Sequence, residues 1–368
     1  MKVLITGANG FIAKNLRVTL NKMPQIEVLE YTKNDTVEKL DSLIQEAEFV
    51  FHLAGVNRPK NVNEYYEGNV NLTQLLVDTI KRHNKNIPIL LSSSAQVGNG
   101  SEYAKSKEDA EKIVEKYSKE NNVSCFIYRL PNVFGKWSKP NYNTVIATWC
   151  YNITRDIPIQ INNPEAELSL VYIGDVIHAF IKHLYITQSK ELYFGINIVY
   201  KKTLGEIQQL LYMFRESRKN LLIPNIAKGF ERILYATYLS FLPTDKFSYK
   251  LSGHEDARGT FFEILKTLDS GQLGISTTKS GVTRGNHYHN TKNEKFLVIK
   301  GKALIELRDI FSKEIIQYNV NGNDLEIVEM IPGYTHNITN TGDEEMVLLI
   351  WANENYDPSA PDTNFIEV

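Results

Sequence analysis

Cysteine is nearly absent from this sequence: only Cys125 and Cys150 occur in 368 residues. Two cysteines exclude a disulfide-stapled secreted scaffold, fit a reducing compartment and read as core residues. Excess charge of one sign is absent too. Lys and Arg total 41 against 43 Asp and Glu, a net of −2, which leaves no basic footprint for nucleic acid or an acidic membrane surface. No apolar run approaches the roughly 20 residues that a membrane span needs. Met1-Lys2-Val3-Leu4-Ile5 runs straight into a glycine motif, so no signal peptide is expected. These absences predict a cytoplasmic protein that binds neither nucleic acid nor membrane.

What is present has two characters. Up to about residue 130, short apolar runs alternate with helical patterns. Val3-Leu4-Ile5, Glu27-Val28-Leu29, residues 49–53, Ile89-Leu90-Leu91 and Phe126-Ile127-Tyr128 read as strands. Residues 11–22, 63–82 and 103–120, and a stretch through Leu40, Leu43 and Ile44, read as helices. That alternation predicts right-handed βαβ units and an α/β, Rossmann-type doubly wound parallel sheet. Near-continuous apolar strands agree, because such a sheet is covered on both faces. After about residue 245 the helical period vanishes. Short strands separated by Gly, Asn and Asp predict an all-β sandwich or barrel. The expected domains are residues 1–247 and 248–368.

The first candidate site begins at Gly7-Ala8-Asn9-Gly10-Phe11-Ile12-Ala13, between a strand and a helix. Gly7 and Gly10 allow a tight turn, and the helix N-terminus offers free N–H groups to a pyrophosphate. A glycine string alone is often only a turn; its place here favours a nucleotide cradle. Ser94 ends the fourth strand, where ligands gather in an open parallel sheet. Tyr103 and Lys107 lie at i and i+4 on one helix face. Such a pair alone is common on helix surfaces. In register with the cradle and Ser94, it supplies what a carbonyl reduction needs: a polarised oxygen, a proton donor and a cation. The cation is expected to lower the Tyr103 pKa and to hold a nucleotide ribose.

Residues 1 to about 245 resemble the extended short-chain dehydrogenase/reductase family. The resemblance rests on Gly7/Gly10/Ala13, on His52-Leu53-Ala54-Gly55, on Ser94/Tyr103/Lys107 and on residues 129–135, Arg-Leu-Pro-Asn-Val-Phe-Gly. It implies that Gly7, Gly10, Phe11, Ile12, Leu53, Ala54, Gly55, Tyr103 and Lys107 bind a nicotinamide cofactor. It also implies that Asn132 faces a nucleotide-linked sugar. Dehydratase members carry Thr-Asp-Glu where this chain has Ser94-Ala95-Gln96, so elimination lacks its acid and base and a plain reductase is expected. Glu30 stands near the place of the acid that binds the NAD ribose. Lys33 is placed to meet a 2′-phosphate instead, and the reading leans to NADP(H). His52 reads as a packed or cofactor-adjacent side chain.

The second candidate site is a histidine pattern. His287 and His289 lie at i and i+2, on one face of a strand. Glu294 returns on the next segment and His336 follows later. Three imidazoles and a carboxylate suit a divalent metal, with zinc expected. The spacing from Gly281 through His287, His289 and Glu294 to Gly301 resembles the first cupin motif. Pro332-Gly333 with His336 and Asn340 resembles the second, which implies a cupin (jelly-roll) domain. Tyr334 and Lys292 lie beside the candidate ligands, and neither is assigned as a proton carrier.

A sugar-nucleotide reductase fused to a C-terminal cupin resembles the bifunctional enzymes of capsular polysaccharide synthesis. That resemblance implies a homodimer and a UDP-linked 2-acetamido-2,6-dideoxy-4-hexulose substrate. The cupin would epimerise C3, the reductase would then reduce C4, and the product would be the UDP-linked L-talose sugar on the route to N-acetyl-L-fucosamine. Two alternatives stay open: a reductase whose cupin only binds or dimerises, and a nucleotide-sensing protein without catalysis.

Overall fold

The computed structural model describes residues 1–186 and 188–368. By its contacts the chain divides into two units, Met1–Leu211 with Lys228–Pro243, and Tyr212–Ala227 with Thr244–Val368.

The first unit is built on β1 (Lys2–Thr6), β2 (Glu27–Tyr31), β3 (Phe49–His52), β4 (Ile89–Ser94), β5 (Cys125–Leu130) and, beyond a small second sheet, β8 (Tyr193–Phe194). All six are parallel, in the order β2-β1-β3-β4-β5-β8. The order reverses between β1 and β3, so the loops after those two strands frame the crevice of a doubly wound sheet. Helices α1 (Phe11–Leu20) and α2 (Val37–Glu46) follow the first two strands. After β3 a continuous helix runs from α3 (Asn63–Tyr65) through a π-helical segment, Tyr66–Asn71, into α4 (Leu72–Arg82). The 20-residue helix α5 (Glu102–Asn121) follows β4.

Strand alternation explains why the strands read as apolar throughout. Val3, Ile5, Phe51, Leu90 and Phe126 pack on one face with Leu16, Leu20 and Phe180. Leu4, Val50, Leu91 and Ile127 pack on the other with Leu40, Ile44, Leu76, Ile80 and Val114. Cys125 and Cys150 are both buried and unpaired, as core residues should be. Beyond β5, strands β6 (Asn132–Phe134), β7 (Glu167–Tyr172) and β9 (Tyr200–Thr203) form a small separate sheet. Helices α6 (Val145–Ile153), α7 (Ile173–Lys182), α8 (Leu204–Asn220) and α9 (Gly229–Leu239) complete the helical part. Among the described residues, no helix is long and apolar enough to cross a membrane.

The second unit is β-rich. One sheet joins β10 (Leu222–Ile223), β11 (Gly253–Asp256), β12 (Gly259–Thr267), β13 (Gln272–Thr278), β15 (Glu294–Lys300), β18 (Ile327–Met330) and β20 (Met346–Ala352). The other runs β17-β16-β19-β14-β21, with β14 (Thr283–Tyr288), β16 (Lys302–Asp309), β17 (Ile316–Asn321), β19 (Tyr334–Asn340) and β21 (Asn364–Phe365). Phe296, Val298, Ile305, Leu307, Ile338 and Leu348 fill the core of this unit. The segment Tyr212–Ala227 precedes the expected boundary at 247/248 yet groups with this unit. Its strand β10 explains this, because Leu222 and Ile223 pair in parallel with Lys266 and Thr267.

Candidate active site and candidate metal centre

In the first unit a cavity of about 1120 Å³ opens at the carboxyl ends of the parallel strands. Gly7 turns the chain after β1 with φ +68°, and a Cβ there would stand 2.7 Å from the Ala54 Cα. Glycine at 7 therefore lets the loops after β1 and β3 touch. Gly10 caps α1 in an extended conformation without a side-chain hydrogen bond, so the first N–H groups of the helix stay available. Gly10, Phe11, Ile12, Leu53 and Gly55 line the cavity, whereas Ala54 packs behind them against Gly7. Asn132 lines the cavity too, and its Nδ2 donates to the Ser169 carbonyl at 3.3 Å.

Ser94, Tyr103 and Lys107 all line the same cavity. Burial raises the Tyr103 pKa, and the Ser94 hydroxyl beside it lowers it by less. This corrects the expectation of a phenol lowered by Lys107. Lys107 is 5% exposed and its Nζ donates to the Ser92 carbonyl at 3.1 Å. Burial pushes its ammonium down to about 8, against the opposing pull of Glu111. A Cβ at Gly55 would stand 2.9 Å from both Lys107 Nζ and Asn69 Oδ1, so glycine here leaves room for the tips of both side chains.

His52 is fully packed. Its Nδ1 meets Thr6 Oγ1 at 2.7 Å and its Nε2 meets Thr73 Oγ1 at 2.8 Å. Burial, helped by the Lys107 charge, depresses it to about 3. Glu30 pairs with Arg17 Nη2 at 2.5 Å, and Lys33 is exposed in the turn after β2.

Sequence reasoning passed over Asn69. It lies in the π-helical segment, takes the Val56 N–H on Oδ1 at 2.8 Å and donates to Ser106 Oγ at 2.9 Å. An apolar period cannot show a π-helix, although such segments gather at functional sites.

The second unit brings His287, His289, Glu294 and His336 together, with one ligand atom of each within 4.8 Å of the others. His287 on β14 and His336 on β19 are Cα partners across the pair of strands. A bulge at Asn286, φ +59°, precedes His287 and re-aims it. Strand β14 ends at Tyr288, so His289 lies just beyond it rather than on the same strand face. The two rings still converge, with centroids 4.9 Å apart. Glu294 enters from β15 of the other sheet, its Oε2 3.6 Å from His289 Nε2 and 3.8 Å from His336 Nε2.

The Nε2 atoms of His289 and His336 are buried and have no hydrogen-bond partner. Their other nitrogens face backbone carbonyls, of Asp362 for His289 and of Tyr334, at 3.4 Å, for His336. Those carbonyls fix the tautomers that leave Nε2 free, which is the arrangement of a metal-ligating imidazole. Burial alone would raise the Glu294 carboxyl, but His289 and Lys292 outweigh it and hold it at about 2. Burial, then His287, depresses His336 to about 4. Imidazoles with unpartnered Nε2 atoms beside a carboxylate fit a divalent cation. Lys292 Nζ lies 3.0 Å from Glu294 Oε1.

A parallel doubly wound sheet with a glycine turn, a serine at a strand end and a Tyr/Lys helix pair defines a nucleotide-dependent oxidoreductase fold. Residues 3–193 match the NAD dependent epimerase/dehydratase family, and residues 254–364 match the polysaccharide biosynthesis C-terminal domain. The chain belongs to that epimerase/dehydratase family and, over its whole length, to the family of CapF-type enzymes. It is 48% identical to the UDP-2-acetamido-2,6-beta-L-arabino-hexul-4-ose reductase of Pseudomonas aeruginosa, over 99% of this chain and 98% of that protein. The crystal structure of the capsular polysaccharide assembling protein CapF from Staphylococcus aureus covers all of both chains, at 45% identity and a TM-score of 0.93. A UDP-glucuronic acid 4-epimerase from Bacillus cereus shares the fold alone: 20% identity, 60% of this chain and 83% of that one, TM-score 0.53.

Proposed function

We propose that this chain is a bifunctional nucleotide-sugar enzyme. It epimerises C3 of a UDP-2-acetamido-2,6-dideoxy-4-hexulose, then reduces the C4 ketone with NADPH. The product is UDP-2-acetamido-2,6-dideoxy-L-talose, destined for N-acetyl-L-fucosamine in a capsule or O-antigen. The observation that carries this reading is the convergence of Ser94, Tyr103 and Lys107 on one cavity that also holds the glycine loop. The likeness to the Pseudomonas aeruginosa reductase supports the sugar class. We place the reductase in residues 1–247 and a zinc-binding cupin in residues 248–368, in a cytoplasmic homodimer.

The residues divide the work. Tyr103, whose buried phenol stays protonated, donates its proton to the C4 oxygen. Ser94 orients the ketone beside it. Lys107 holds the ribose and favours the phenolate left behind. Asn132 binds the sugar. When bound, the nicotinamide supplies the hydride to C4. The order of steps follows from acidity, because C3–H is acidic only while C4 is a ketone and the resulting carbanion spreads into an enolate. His287, His289, Glu294 and His336 would hold the metal. When bound, it supplies either Lewis-acid stabilisation of the enolate oxygen or a fixed prop for the fold.

NMR of the keto-sugar in D2O, with enzyme and without NADPH, tests the reading. Deuterium is expected at C3. No exchange, with NADPH oxidised by the same substrate, leaves a reductase whose C-terminal domain only binds or dimerises.

A further inference from the structure

Glu111 is a carboxylate with 1% exposure in the middle of α5, one turn past Lys107. A charged side chain that deep is retained only with partners. Ser93 Oγ, at the end of β4, donates to its Oε1 at 2.5 Å. Arg129 on β5 grips it from the other side, with Nε 3.0 Å from Oε1 and Nη2 2.6 Å from Oε2. The carboxylate thus ties the helix that carries Tyr103 and Lys107 to the two strands whose ends shape the cavity. It does not itself line that cavity.

The surroundings of Lys107 give this tie a second effect. The ammonium donates to a neutral carbonyl, that of Ser92. His52, on β3, is held neutral by burial and by the Lys107 charge, so it offers no negative partner. Tyr103, one turn earlier on α5, is kept as a neutral phenol by burial, and Tyr65 packs on its ring at 5.7 Å between centroids. Asn69, from the π-helical segment, is uncharged. Glu111 lies four residues on along the same face of α5, and its carboxylate favours the Lys107 ammonium against the effect of burial. Around Glu111 stand Arg129 from β5, Tyr193 from β8, and Glu108 and Glu115 on its own helix. The Arg129 side chain is 45% exposed and stacks over Tyr193 at 4.8 Å, so water screens its charge more than that of the buried carboxylate.

We propose that Glu111 is a positioning residue of the reductase site: it locks α5 against β4 and β5 and supplies the negative charge that the buried Lys107 ammonium otherwise lacks. The proposal rests on the reading of Lys107 as the cation that holds the cofactor ribose.

The test is NADPH affinity, followed by fluorescence from about pH 7 to 10, across the range where Lys107 loses its proton. In Glu111→Gln the midpoint at which affinity falls moves to lower pH by about one unit. In the double variant Glu111→Gln/Arg129→Gln, which removes both charges and leaves no unpaired charge buried, it still moves to lower pH, because the screened cation contributes less than the buried anion. The double variant keeps the test decisive where the first fails to fold. A midpoint that stays in place in the double variant, or in a folded Glu111→Gln, overturns the proposal even when rates fall, since that is the signature of a merely structural group. Downward shifts in a protein that reduces no 4-keto sugar would end the reductase reading and leave Glu111 in its role. Ketone reduction with unmoved midpoints would do the reverse.

Discussion

The two candidate sites are made of different material. The first is a wide cavity at the carboxyl ends of parallel strands, assembled from backbone turns, hydroxyls and one buried lysine drawn from many loops. The second is four side chains that bring one ligand atom each within 4.8 Å of the others, carried by antiparallel strands and the segment after one of them. A parallel sheet delivers one loop per strand to a shared edge, so its site is spread along the chain and suits a long ligand. An antiparallel pair sets residues distant in sequence side by side, as His287 and His336 are, so its site is compact and suits an ion.

If the two sites are independent machines, damage to one should spare the other. Tyr103→Phe is expected to cut NADPH-dependent ketone reduction by about 10³-fold, with C3 exchange in D2O and metal content unchanged. His336→Ala is expected to weaken metal binding by more than about 100-fold, read by competition with a chromophoric chelator. NADPH affinity should then stay within about twofold, and a large loss would break the comparison. Acid should also act on the first unit through His52. Its depressed pKa means that the unfolded chain binds the proton first. Stability is therefore full above about 6.5 and is lost as pH falls toward 3. Between pH 6.5 and 5 the loss is about 2 kcal/mol by urea unfolding, and His52→Gln flattens that slope. The smallest effect concerns the cofactor. Lys33→Ala is expected to raise the KM for NADPH about tenfold and to leave that for NADH alone, which sharpens the 2′-phosphate assignment.

Much of both sites was legible because local chemistry announces it. Continuous apolar strands with helices between them have few other solutions, and a glycine turn after the first strand has a backbone reason to exist. The clustering of the four candidate ligands was legible from spacing, although the bulge at Asn286 was not. Gly285-Asn286 is an ordinary turn signal, and nothing in it says that a histidine will be re-aimed. The small sheet of β6, β7 and β9 stayed hidden because β6 spans three residues and Lys201-Lys202 break any alternation in β9, which leaves the alternating Glu167-Leu168-Ser169-Leu170 without a visible partner. Glu111 stayed hidden for a related reason. It sits in a helix dense with Glu and Lys, where a charged residue reads as solvated, and only burial sets it apart. The pKa of Tyr103 was misjudged because a Lys four residues away fixes proximity, not the balance between charge and desolvation.

The π-helical turn at Tyr66–Asn71 has a consequence for how tightly this family of sites tolerates length changes. Each residue in an α-helix advances the face by about 100°. The wider turn acts as a phase shifter: Asn69 meets Val56 and Ser106, while Leu76 and Ile80 downstream still meet the sheet. Removing one residue there would restore an ordinary helix at the cost of one of those two alignments. A single-codon deletion in this stretch is thus a sharper lesion than one in an exposed loop of the same unit that lies away from the cavity.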